Sequence, residues 1–122
     1  MMMAHLVLYI WAGLLIVILS LPMAQGHTTP NAAYGLRVKE TLADERVWHA
    51  ANRLCGRDGI ILGILLIVLA IGLAVPLWSR ADLYTNLQQG IIAVGILVWG
   101  VRSKLAARRI QAELKRKDQA EG

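Results

Sequence analysis

Residues 59–78 read GIILGILLIVLAIGLAVPLW, a run without a formal charge, bracketed by Arg57 and Asp58 on one side and Arg80 on the other. At 1.5 Å per residue such a run reaches about 30 Å, the thickness of a bilayer's hydrocarbon core. Towards the N-terminus, residues 4–23 form a second uncharged run. Towards the C-terminus, residues 83–101 form a third, which opens with Tyr84, Asn86, Gln88 and Gln89 and is purely apolar only from Gly90. The sequence therefore predicts an all-α membrane protein with three transmembrane helices, at about 4–23, 59–78 and 83–101. The third is expected to place its polar start in the headgroup region.

Composition agrees. Of 122 residues, 57% are hydrophobic and 17% charged, against about 45–50% and about 25% in soluble domains. The excess lies in blocks, which excludes soluble, disordered and fibrous classes and leaves one membrane domain over 1–122. The one cysteine, Cys55, forms no internal disulfide. Ala24-Gln25-Gly26 resembles a signal-peptide cleavage site, but Met1 to Met3 supply no basic n-region and the apolar run exceeds about 15 residues, so the first block is read as retained.

Orientation follows from Lys and Arg. With three spans, 24–58 and the tail 102–122 share one side and hold all 13 basic residues except Arg80. The expected topology is N-terminus outside and C-terminus cytoplasmic, with Cys55 shielded from impermeant thiol reagents. The net charge of +5 then points to anionic lipid headgroups and not to nucleic acid. Arg102, Lys104, Arg108 and Arg109, around a stripe of Ala106, Ile110 and Leu114, are expected to contact those headgroups in a basic helical tail.

The connection 24–58 is too long to lack structure. Thr41 followed by Asp44 resembles a capping box. Leu42, Val47, Ala50, Ala51 and Leu54 then form an apolar stripe of helical period, and Gly56 is a reasonable stop. A cytoplasmic amphipathic helix over about 41–55, pressed on the bilayer or on the underside of the bundle, is expected. Pro30-Asn31 and Tyr34-Gly35 are turn signals before it.

Chemistry is sparse. No Asp, Glu, Lys or Arg lies inside a block, which argues against a transporter or pump. His27, His49 and Cys55 show no zinc-ligand spacing. Glu45 and His49, at i and i+4, read as a surface pair before an acid–base pair. No catalytic motif supports an enzyme and no cofactor is implied. Gly59 and Gly63 form a GxxxG suited to close helix packing, within the bundle or in a homo-oligomer. Trp78 and Trp99 look like interfacial anchors, and Trp11, mid-span, should pack a neighbouring helix.

Asn31, Tyr34, Gly35, Arg37, Trp48 and Asn52 form the candidate site, binding a partner or organising the loop. Arg37 suits a lipid phosphate, a peptide carboxylate or an acidic partner, or equally a clamp onto Asp44 or Asp58. Tyr34 and Trp48 are expected to anchor the loop at the interface. The pattern Asn31-x-x-Tyr34-Gly35-Leu36-Arg37, then Thr41-Leu42, Trp48, Asn52 and Gly56 ahead of a glycine-rich membrane helix, resembles the SdpI family of bacterial membrane immunity proteins. The resemblance implies a non-catalytic, multi-pass protein of the bacterial cell membrane that protects its host from a membrane-active peptide toxin. In the founding member it also implies holding a cytosolic repressor at the membrane. The rival class is a small accessory subunit of a larger membrane complex, to which the glycine-lined faces would be suited.

Overall fold

The protein is described by a computed structural model over residues 2–31 and 34–121, so Gly122 at the end of the expected tail lies outside the described residues. Its order is α1 (Met2–Ala24), α2 (Lys39–Ala43), α3 (Glu45–Ala74) and α4 (Ala81–Glu121). α1, α3 and α4 are each long and apolar enough to cross a membrane.

In lipid the helices gain little from burying apolar surface, so close backbone approach and polar bonds hold the bundle. α1 and α3 run antiparallel through small residues. A Cβ added at Gly63 would lie 2.5 Å from Val17 Cγ2 and 2.6 Å from the Gly13 carbonyl oxygen. One at Gly59 would collide with Ser20 Oγ and reach Trp99 Cζ2 at 2.7 Å, and one at Gly56 would collide with the backbone of Ala24. The Gly59–Gly63 motif is therefore filled from within the chain.

Gly56 does not stop a helix. The expected helix over 41–55 and the span from 59 are one element, α3, which at 30 residues is about 45 Å long. A short separate turn, α2, precedes it. Asp44 caps α3, its carboxylate accepting from Arg46 N–H at 2.8 Å, so the expected Thr41–Asp44 capping box is not formed. α3 ends at Ala74, short of the expected Trp78, and a turn carrying Pro76 leads to Arg80. Pro76 has no N–H with which to continue the helix.

α4 lies antiparallel along α3. Tyr84 and Gln88, expected among headgroups, are buried on α3: Tyr84 Oη donates to the Ala70 carbonyl at 2.8 Å and Gln88 Nε2 to the Leu69 carbonyl at 3.2 Å. Tyr84 also meets Tyr9 of α1 edge to face, centroids 5.8 Å apart. Trp99 is not a free anchor, since its indole donates to the Cys55 carbonyl at 2.9 Å. Trp11, expected to pack a neighbouring helix, is instead 61% exposed among the described residues.

At 41 residues, α4 is about 60 Å long, twice the hydrocarbon thickness. Its end pairs with the start of α3. Val47, Ala51 and Ala107 are fully buried, with Leu36, Val38, Ile110 and Leu114 packed around them. The apolar stripe of α3 is thus covered by the stripe of α4, whereas Leu42, on α2, stays exposed. Arg46 fastens the far end, its Nη2 lying 2.9 Å from both Asp44 Oδ2 and Asp118 Oδ2. Its hydrogen bonds hold both carboxyls below their usual range.

The two kinds of glycine should respond differently. Gly63→Val forces α1 off α3 and should cost about 1–3 kcal/mol. Gly90→Ala, where a Cβ meets nothing within 4 Å, should be neutral or stabilising by up to about 1 kcal/mol. Thermal unfolding of both variants in one detergent checks this; equal losses would mean the α1–α3 approach is looser than described.

Candidate functional site: the loop cap and the slot beneath it

The cap begins where α1 stops. Gly26 adopts a left-handed φ of 76°, His27 N–H donates to the Pro22 carbonyl at 2.9 Å and Gly26 N–H to the Met23 carbonyl at 3.2 Å. This paired closure satisfies the last carbonyls of α1 and turns the chain back over the bundle.

From there, single side chains take up the backbone groups of an irregular loop. Asn31 closes a turn: its Oδ1 accepts from Tyr34 N–H at 2.6 Å and its Nδ2 donates to the Thr29 and Tyr34 carbonyls, both at 2.9 Å. Trp48 is fully buried, and its indole donates to the Thr28 carbonyl at 2.9 Å. Asn52, 2% exposed, accepts from Leu36 N–H at 2.7 Å and donates to the Trp48 carbonyl at 2.8 Å. Gly35, at φ 103°, lets the loop lie on these two: a Cβ there would sit 2.8 Å from Asn52 Oδ1 and 3.2 Å from Trp48 Cζ2. Tyr34 Oη donates to the Leu19 carbonyl of α1, beside the turn where Pro22 has no N–H to give. Thr41 Oγ1 accepts from Val38 N–H at 3.0 Å and donates to the Leu36 carbonyl at 2.8 Å.

Five of the six candidate residues therefore come together, and they organise the loop. Trp48 is a core residue of the cap, not an interfacial anchor, because its ring is fully buried and its indole N–H answers a carbonyl of the buried Thr28. The sixth, Arg37, points away. It is exposed, and no described carboxylate lies within ion-pair distance of it, since Asp44 is taken by Arg46 and Asp58 by Arg102. The expected Arg37 clamp is absent among the described residues. The clamp that does exist uses Glu40, which the sequence reading passed over. Its carboxylate, 5% exposed, receives Lys104 Nζ at 2.6 Å, with Arg108 Nε at 3.9 Å, and so latches α2 to α4. The two partners are 64 residues apart, beyond any local spacing rule.

Under the cap lies a slot of about 290 Å³, lined by α1, the 34–36 segment, Cys55 and α4. Its walls are mostly apolar, with Leu19, Met23, Leu36, Ile96 and Trp99 among them. Ser20 also faces it; this residue is 1% exposed, and its hydroxyl has no hydrogen-bond partner among the described residues. An apolar group carrying one polar atom would complete such a surface. Elsewhere His49 only pairs with Glu45 at 3.5 Å on an exposed face. Among the described residues no cluster of His, Cys, Asp or Glu suits a metal ion.

The sequence profile of the SdpI/YfhL protein family matches residues 27–103, more than half of the chain, from the start of the cap to the exit of α4 from its apolar block. No curated protein and no solved structure gives a significant match.

The latch sets a pH dependence. The Lys104 hydrogen bond lowers the Glu40 pKa below its ordinary value of 4.5, so the unfolded chain binds the proton more readily. The latch's contribution is fully present above pH 4.5 and is lost as pH falls through the lower folded value. Protection of the α2 amides from hydrogen exchange, corrected for the intrinsic pH dependence of exchange, should fall below that range in the native protein and be insensitive to the same change in Glu40→Gln. An acid response unchanged in the variant would assign it to other carboxylates.

Proposed function

The chain belongs to the SdpI/YfhL protein family, and from that membership we propose that it is a non-catalytic protein of the bacterial cell membrane that protects its host from a membrane-active peptide toxin. The observation carrying this reading is the division of labour in the cap. Asn31, Tyr34, Gly35, Trp48 and Asn52 are bonded or packed internally, which leaves Arg37, exposed and next in the chain to Leu36 of the slot wall, as the cap's one candidate residue without a partner among the described residues. In this reading an apolar side chain of the toxin enters the slot from lipid, and Arg37 binds a carboxylate on the peptide. The excess of Lys and Arg in the cap and the tail supports a cytoplasmic side for both.

The test is a deletion strain, complemented by variants and challenged with a purified membrane-active peptide toxin of the sporulation-delaying type. Arg37→Ala should keep wild-type abundance and thermal stability but lose protection. Trp48→Ala should lose both, at a stability cost of about 3–5 kcal/mol. Full protection by a stably folded Arg37→Ala would remove Arg37 from the site.

Cys55 is no topology reporter, because it is buried whichever side it faces. Ser79 and Gln119 are exposed at opposite ends of α4. In intact cells an impermeant maleimide should label Ser79→Cys and not Gln119→Cys; the reverse pattern would invert the topology.

A second reading, an accessory subunit of a larger complex, is favoured by Trp11 exposed in mid-span and by Gly90 and Gly100, where a Cβ meets nothing within 4 Å. Native extraction from host membranes separates the two, since a subunit comes out in fixed ratio with its partners.

A further inference from the structure

Of the four tail cations expected at the headgroups, three have acidic partners inside the fold. Arg102 Nε lies 3.0 Å from Asp58 Oδ2, while Lys104 and Arg108 share Glu40. Arg109 has none among the described residues, and neither do Arg53 and Arg57. These three arginines line one groove between α3 and α4, about 540 Å³ in volume, with Ala50, Leu54 and Ile110 as its floor. Arg53 turns its guanidinium towards the end of α1, where a Cβ on Gly26 would sit 2.7 Å from its Nε. Arg57 and Arg109 remain as the two uncommitted cations of the groove.

We propose that this groove binds the phosphate of an anionic phospholipid, with Arg57 and Arg109 as charge-assisted donors. Guanidinium groups suit this role because their planar N–H fork matches phosphate oxygens and they give up hydration more readily than an ammonium. Depth supports a lipid over a soluble anion. Headgroups occupy about 5–7 Å beyond each face of the hydrocarbon. The uncharged run of α3 starts at Gly59 and that of α4 ends at Val101, which puts Arg57 about 3 Å and Arg109 about 12 Å outside them along their helices. Arg57 marks the headgroup level, and Arg109 reaches it only by extending its side chain back along α4. A second groove of about 330 Å³ shares Leu54 and Arg109 and continues towards the span past Leu105 and Ala106, with Asp58 and Arg102 also on its wall, a mixed polar and apolar track for the glycerol region. The carboxylate on that track, Asp58, is neutralised by Arg102. The one in the first groove, Glu113, lies a helical turn beyond Arg109, away from the span. The proposal needs only a membrane-embedded chain and is independent of toxin protection.

The experiment uses the full chain in nanodiscs of phosphatidylcholine containing phosphatidylglycerol, with retained lipid counted by native mass spectrometry. The double variant Arg57→Gln/Arg109→Gln should lose selectivity for the anionic lipid by roughly 10–30-fold. The control Lys115→Gln/Lys117→Gln removes the same charge farther out and should change it little. Both doubles are on exposed side chains without ion pairs among the described residues, and matching circular dichroism melts would confirm intact folds. Arg57→Lys/Arg109→Lys should fall in between, because charge is kept and the fork is lost. Equal losses in the groove and control variants would overturn the site in favour of diffuse attraction. Displacement of the lipid by millimolar inorganic phosphate would overturn the choice of lipid.

Discussion

The closeness of α1 to α3 is the constraint on which the rest depends. Gly13, Gly56, Gly59 and Gly63 let two backbones come within a side chain's radius, and in lipid that contact must do what hydrophobic burial does in water. The same contact sets the position of the cap. Ala24, the last residue of α1, rests on Gly56, so the chain leaves α1 at a fixed height on α3. Gly26 then turns it back across the first turns of that helix, where Trp48 and Asn52 lie about one helical turn apart.

An irregular segment at a membrane edge carries many backbone donors and acceptors, and each left dry and unpaired is costly. The cap answers several of them with single side chains. Asn52 covers both sides of Leu36, Trp48 takes Thr28, and Thr41 spans Leu36 to Val38. This explains why a segment so rich in hydrogen-bonding and aromatic residues looks like a binding site in sequence. Most of those residues recognise the loop itself. Arg37 stands out because it has no bonded partner among the described residues.

The three spans were legible because bilayer thickness imposes a length and a composition that few other structures require. The family was legible because a set of spaced residues in 31–56 is more specific than any one of them. The internal pairings were not. Glycine at a helix end and glycine at a backbone contact look alike in sequence, so Gly56 read as a stop although it is a seat for α1. Arg37 and Arg46 both lie near Asp44, and only the N-terminal turn of α3 decides that Arg46 takes it. Glu40 finds Lys104 through the stacking of two long helices, a relation absent from local spacing.

The continuity of α3 and α4 ties the two faces of the molecule together. Neither helix is broken at the membrane boundary, so the cap, the slot and the arginine groove are all built on rods that also form the span. A shift of α1 along its glycine seam would be felt at Tyr34, whose hydroxyl holds the Leu19 carbonyl, and at the slot that both residues line. Opening the cap itself requires more, since Glu40 must leave Lys104 and Asn52 must release Leu36 together. A shift in the α1–α3 contact therefore reaches the slot first, while the latch keeps the cap's bonded core in register with α4.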